Sequence, residues 1–169
     1  NTVTTDISKE AGGQESGHSP AELVLFALAG CTGVDVVSIM DKMRQPLESL
    51  EVEITADNND DHPRAFSNFE VKFIARGRGI DPERFARAIQ LSEEKYCIVS
   101  HTLKNNATVT TSYEILEPGQ PPVRDRVASR RQLSPGADAL KRRGRGQDRT
   151  PTMPRSKANA VAAERVGRP

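Results

Sequence analysis

Two residues in this sequence have side chains suited to covalent chemistry, Cys31 and Cys97. A thiolate attacks a peroxide oxygen and becomes a sulfenic acid. A second cysteine nearby condenses with that acid to a disulfide, which stops further oxidation. Cys31 lies in Leu28-Ala29-Gly30-Cys31-Thr32, in the middle of an apolar stretch. Cys97 lies in Glu94-Lys95-Tyr96-Cys97-Ile98, near the start of a short helical turn. A helix N-terminus presents free N–H groups and a positive partial charge, which favour a thiolate. By itself the pair decides little. Two cysteines 66 positions apart are more often small buried residues than a redox couple.

Metal binding is the other chemistry these residue types allow. Cys97 and His101 are four apart, a spacing that puts two ligands on one helix face. Cys31 would make a third ligand, and His18 or His62 a fourth. No C-x-x-C or H-x-x-x-H accompanies them, so zinc is the weaker reading. Asp35 is a charge inside an otherwise apolar helix; it either lines an interface or pairs across one. Lys95 and Arg44 read as solvated surface. Gly77-Arg78-Gly79 ends a strand and lacks the Lys-Ser/Thr of a phosphate loop.

The elements that must position the cysteines follow from periodicity and caps. Ser19-Pro20 with Glu22 opens a helix: an N-cap Ser, Pro at the first position and an acid at the third. That helix is predicted over Pro20 to about Met43, and Pro46 confirms its stop. Its apolar residues cover most of its circumference, which calls for burial nearly all round. Leu47–Ala56 and Phe66–Arg76 both alternate and are predicted as a β-hairpin around the acidic turn Asp57–Pro63. Asn1–Ser8 alternates at Val3, Thr5 and Ile7 and is predicted as a strand. Asp81-Pro82-Glu83 caps a second helix ending near Tyr96, and Ile98–Lys104 forms the turn after Cys97. Ala107–Leu116 is the last predicted strand. The order β-α-β-β-α-β with hairpins points to α+β rather than to a doubly wound parallel sheet.

Charge divides the chain in two. Residues 1–116 carry 11 basic and 18 acidic side chains, and residues 117–169 carry 13 basic and 5 acidic ones. Seven of the eleven prolines and none of the aromatics fall in the second part. Such a segment cannot bury enough apolar surface to offset its chain entropy, so 117–169 is predicted as a disordered basic tail. No aromatic residues are interleaved with its charges, so nucleic acid is not the expected partner. The longest uninterrupted apolar run, Leu23–Ala29, is seven residues. A bilayer needs ~20, so no transmembrane helix is expected. Asn1–Glu10 shows no secretory pattern, and two cysteines make no disulfide scaffold, so the reducing cytoplasm is the expected compartment.

The motifs in order carry a resemblance. Ser19-Pro20-Ala21-Glu22-Leu23, eight positions on to Cys31, and then Val34-Asp35-Val36-Val37 resemble the nucleophile helix of the OsmC/Ohr superfamily. That superfamily covers osmotically inducible protein C and the organic hydroperoxide resistance proteins. His62-Pro63-Arg64-Ala65-Phe66, Gly79-Ile80-Asp81-Pro82-Glu83 and Glu93-Glu94-Lys95-Tyr96-Cys97 continue the resemblance, which spans Thr2 to Ile115 and is nearest the OsmC-like branch. It implies an intertwined homodimer in which antiparallel sheets wrap two long central helices. It implies that Cys31 is the peroxidatic cysteine and Cys97 the resolving one, at the dimer interface, with no metal, flavin or haem. It also implies a further hairpin ahead of Asn1, carrying an Arg that stabilises the thiolate. The organic hydroperoxide resistance branch has Glu directly after its helix-opening Pro. Here that position is Ala21, and the acid follows at Glu22, as in many OsmC-like members. Glu22 either orients the Arg or serves as a first-turn helix charge.

Residues 1–116 are therefore expected to form an α+β OsmC-like domain with 117–169 as its tail. The expected function is thiol-dependent reduction of organic hydroperoxides by a Cys31/Cys97 sulfenic acid–disulfide cycle, reset by a cellular dithiol. Apolar residues around Cys31 favour organic over hydrogen peroxide. The alternative is a non-enzymatic, stress-related or binding dimer whose cysteines are inactive.

Overall fold

The computed structural model describes residues 2–127 and 156–164. Its longest element is helix α1, Pro20–Lys42. A full capping box starts it. The Glu22 N–H donates to Ser19 Oγ at 3.2 Å, and the Ser19 N–H donates to Glu22 Oε2 at 2.8 Å. Each bond satisfies a backbone donor that the first turn leaves free. At the other end the Met43 carbonyl accepts from Arg84 Nη1, and Arg44 turns the chain out with φ 55°.

A hairpin follows: β1 (Ser49–Asn58) and β2 (Phe66–Arg76) pair antiparallel from Ser49↔Arg76 onward. The chain then passes through α2 (Pro82–Leu91), a π-helical turn at Ser92–Tyr96 and α3 (Ile98–Leu103) before β3 (Thr108–Leu116). Asp81 caps α2 by accepting from the N–H groups of Glu83 and Arg84. These predicted elements all form, within a residue or two of the expected ends.

The helices lie on one face of the sheet. Leu50, Val52 and Ile54 of β1, Phe69 and Phe73 of β2, and Leu25, Leu28, Val36 and Met40 of α1 make the core, each at most 1% exposed. Burial of one such side chain is worth about 1.5–3 kcal/mol. Phe85 of α2 meets Tyr113 of β3 edge-on, with ring centroids 5.4 Å apart.

Four expectations are corrected. The sheet is not purely antiparallel. Its order is β4-β3-β2-β1-β5, and β2 pairs with β3 in parallel, Asn68↔Thr108 to Arg76↔Leu116. The reason is the α2–α3 connection, which carries the chain back to the end of the sheet where β2 began.

The predicted strand Asn1–Ser8 does not form. Thr5 makes only an isolated bridge to His18. The Asp6 carboxylate instead gathers the N–H groups of Ile7, Gln14 and Ser16 and the Ser16 hydroxyl, which folds the segment into a loop. Those bonds hold the Asp6 carboxyl well below the usual carboxylate range. Gly13 permits the close approach this loop needs, since a Cβ there would lie 2.1 Å from the Ile7 carbonyl oxygen.

Regular structure does not stop at Leu116. β4 (Val123–Arg126) pairs with β3, and β5 (Ser156–Glu164) pairs with β1, both antiparallel. Sheet edges offer unpaired backbone donors and acceptors, and a strand can add there without an apolar period of its own. The remainder of the predicted disordered tail, 128–155 and 165–169, lies outside the described residues.

Finally, α1 is long and apolar enough to cross a membrane by length and composition, with a mean hydropathy of 2.1 over its best 18 residues. The expectation counted only uninterrupted apolar residues, and single polar side chains do not cancel a window's hydropathy. In the fold, one side of α1 is packed against the sheet.

Candidate active site: two thiols and a carboxylate

Cys31 stands halfway along α1, and Cys97 is the N-cap of α3. The fold brings them together. The two Sγ atoms and a carboxylate oxygen of Asp35 all lie within 4.8 Å of one another. Both cysteines are free thiols. Asp35 follows Cys31 by four residues, so the two share one face of α1. Cys97 reaches that face because the chain widens into the π-helical turn at Ser92–Tyr96, where the Cys97 N–H donates to the Ser92 carbonyl at 2.9 Å. Such turns are rare and often found at functional sites.

A buried ion pair braces this turn. Glu93 accepts from the Thr111 hydroxyl on β3, and Lys104 Nζ lies 3.5 Å from its other carboxylate oxygen. Lys104 Nζ also donates to the Glu93 backbone carbonyl at 3.2 Å. The segment ahead of Cys97 is thereby tied to both the sheet and α3.

The two thiols have different surroundings. Cys31 is half-buried, whereas Cys97 is fully buried. Burial pushes the Cys97 thiol up to about 12; its hydrogen bond to Cys31 adds to this, and so do the Cys31 and Asp35 charges. The Ser100 N–H donates to Cys97 Sγ at 3.3 Å and acts in the opposite direction. The helix-terminus argument for a Cys97 thiolate is thus overridden: the opposing N–H is outweighed by desolvation. Its surroundings therefore hold the Cys97 thiol in the protonated form.

Asp35 is itself held. The Ser92 hydroxyl, fully buried, donates to its Oδ2 at 3.0 Å. Beside Asp35 opens a cavity of about 270 Å³, lined by apolar Ile39, Met43, Leu91 and Tyr96 together with Ser38 and Lys42.

Glu22 is not part of this cluster. Nine residues before Cys31, it stands about 13 Å away along the helix axis at 1.5 Å per residue. Within the described chain it closes the capping box, with His18 Nδ1 3.9 Å from its Oε2. His101 is exposed, and the third potential ligand beside the thiols is Asp35. The zinc set of Cys31, Cys97 and His101 is therefore not the one assembled among the described residues. Asp35 was visible in the sequence as a charge in an apolar helix, but its partner Ser92 carried no signal.

The outward side of α1 is open in the single chain. Val34 is 62% exposed, and Tyr96 and Ile98, flanking Cys97, are 58% and 73% exposed. Burial nearly all round, as predicted for this helix, is not reached by the described residues of one chain.

Comparison with known proteins agrees with this architecture. The family model described as OsmC-like protein matches residues 13–112. Protein YhfA of Escherichia coli K12 is 38% identical over 110 residues, which is 65% of this chain and 82% of YhfA. The crystal structure of a hypothetical protein from Aquifex aeolicus is 29% identical, with a TM-score of 0.59, over 69% of this chain and 96% of that one. An organic hydroperoxide resistance protein OsmC from Legionella pneumophila shares the fold at 17% identity, with a TM-score of 0.52, over 66% of this chain and 80% of that one. The α+β architecture and the family match, which covers more than half of the sequence, lead to one conclusion: this chain belongs to the OsmC-like protein family.

Proposed function

We propose that this protein is a thiol-dependent peroxidase acting on organic hydroperoxides, with Cys31 as nucleophile and Cys97 as resolving thiol. The observation that carries the reading is the meeting of two free thiols, from α1 and from the N-cap of α3, one half-exposed and the other buried. The Cys31 thiolate attacks the terminal peroxide oxygen. The O–O bond breaks, the alcohol leaves with a proton from solvent, and Cys31 becomes a sulfenic acid. Cys97 sulfur then attacks the Cys31 sulfur, the S–O bond breaks, and water leaves as the disulfide forms. A cellular dithiol in the reducing cytoplasm returns both thiols. Closure from within 4.8 Å to a bond of about 2.05 Å is a small movement for two side chains. The cavity beside Asp35, with Ile39, Met43, Leu91 and Tyr96 in its wall, gives an organic substituent room and apolar contact that hydrogen peroxide would not use. The Legionella relative's name, organic hydroperoxide resistance protein, points the same way.

The working unit in this reading is a homodimer. Val34, Tyr96 and Ile98 form an apolar rim around the thiols that a second copy would cover. Gly30 agrees with this, because a Cβ there meets nothing within 4 Å in its own chain. A glycine in mid-helix costs about 0.5–1 kcal/mol relative to Ala, and close approach of another helix would explain its presence. Val34→Asp is expected to turn a dimer into monomers on size-exclusion chromatography with light scattering. A Val34→Asp variant with unchanged mass would remove this face from the dimer.

The deciding experiment counts free thiols in reduced protein before and after one equivalent of cumene hydroperoxide. Both thiols should disappear and return with dithiothreitol, and Cys97→Ser should stop at a sulfenic acid on Cys31. Thiols that stay unchanged would favour the non-enzymatic dimer.

A further inference from the structure

We propose that Asp35 is the proton relay of the resolving step, carrying the Cys97 proton to the oxygen that leaves Cys31. This rests on the peroxidase reading and assigns a residue to its second half. The problem Asp35 answers is specific. Cys97 must lose its proton to attack, yet its surroundings hold that proton up to about 12. Water cannot readily take it, because Cys97 is fully buried. The carboxylate of Asp35 lies within 4.8 Å of both sulfurs, within reach through one water.

The step balances. The Cys97 S–H proton passes to the Asp35 carboxylate as the Cys97 sulfur attacks the Cys31 sulfur. The S–S bond forms and the S–O bond of the sulfenic acid breaks. The departing hydroxide takes the proton from Asp35 and leaves as water. Cys97 is oxidised, the sulfenic sulfur is reduced, and Asp35 returns to a carboxylate. Its position one turn after Cys31 on the same helix serves both ends of this transfer. Ser92 fixes the carboxylate from the π-helical turn by its 3.0 Å hydrogen bond. The groups facing it are Cys31 and Lys42 from α1, Tyr96 from the π-helical turn, and Cys97.

Removal of Asp35 also removes a negative charge that raises Cys97. That charge is the smallest of the contributions, and burial is the largest, so the thiol stays protonated without it. Loss of the relay should therefore outweigh the easier ionisation.

The test uses the full chain and separates the two steps. Reduced wild type, Asp35→Asn, Asp35→Glu and Ser92→Ala are mixed rapidly with cumene hydroperoxide. Sulfenic acid is trapped with dimedone, and disulfide is followed by quenched mass spectrometry from pH 6 to 9. Asp35→Asn should form sulfenic acid within a few-fold of the wild-type rate and close the disulfide about 10²-fold more slowly. Its closure should rise about tenfold per pH unit, following the Cys97 thiolate, where the wild type is much flatter. Asp35→Glu should recover part of the rate, and Ser92→Ala should lose a few-fold. Equal closure rates and pH profiles in wild type and Asp35→Asn would overturn the relay. Equal slowing of both steps would also overturn it, because a merely structural role predicts that result. A wild type that forms no sulfenic acid would overturn the peroxidase reading and the relay with it.

Discussion

Two clusters of ionisable groups sit on opposite faces of the same sheet, and they are built on opposite rules. On the outer face, charges alternate across four strands. Glu53 of β1 is 3.8 Å from Lys72 of β2, Lys72 is 2.9 Å from Glu114 of β3, and Arg124 of β4 reaches Glu114 through two nitrogens. Each anion of this ladder meets a cation, and the Glu114 carboxyl is held below its ordinary range by the hydrogen bonds from Lys72 and Arg124. On the helix face, Cys31, Asp35 and Cys97 gather, three groups that become anions, and no ion pair to Asp35 forms among the described residues. There the thiol of Cys97 is driven up instead. Matched charge steadies a sheet, whereas unmatched groups in partial burial shift one another's proton affinity, a pattern that clusters at functional sites.

The largest effect that would break this contrast is on thiol reactivity. At pH 8 Cys97 should hold about 10³-fold less thiolate than an ordinary thiol, the ratio between about 12 and 9.0. Iodoacetamide followed by peptide mass spectrometry should modify Cys31 long before Cys97. In Cys31→Ala the hydrogen bond and charge that help hold the Cys97 proton are gone, so Cys97 alkylation should speed up. Faster labelling of Cys97 than of Cys31 in the wild type would undo the contrast between the buried and the half-exposed thiol. The same raised value means that this thiol supports the fold fully below pH 9 and loses that contribution as pH rises toward 12.

A smaller effect tests the matched side. Glu114→Gln removes the centre of the ladder but leaves Lys72 and Arg124 side chains that are 40% and 69% exposed and stay hydrated. The cost at pH 7 should be about 1–2 kcal/mol in urea unfolding, the low end for charged hydrogen bonds because of that exposure. The folded Glu114 value is depressed, so its contribution is present above the ordinary 4.5 and lost as pH falls through the folded value. Glu114→Gln should therefore flatten the acid side of the stability profile while leaving thiol oxidation unchanged. The smallest effect belongs to the rim: Arg124→Ala should cost less than about 1 kcal/mol and shrink further in salt.

What the sequence determined by itself was local. Ser19, Pro20 and Glu22 specify the start of α1, since a capping box needs only residues three apart. Alternation over Leu50, Val52 and Ile54, and again over Phe69, Val71 and Phe73, specifies the β1–β2 hairpin, because a period of two shows within a few residues. Cys31 and Cys97 were legible as the candidate pair from their residue type and motifs, and the fold brings their sulfurs together. Tertiary structure decided whatever joins distant parts of the chain. Asp6 turned an alternating segment into a loop by accepting from Gln14 and Ser16. β2 and β3 became parallel because the helices between them carry the chain back. β4 and β5 found the sheet edges through backbone groups that every residue carries, so composition could not announce them. The same holds for the site. Asp35 and Ser92 are 57 positions apart, and only the packing of the π-helical turn against α1 puts hydroxyl, carboxylate and thiols together. Periodicity and caps are interactions within a turn or two, whereas the proton balance of Cys97 depends on desolvation and on neighbours that exist only after the chain has folded.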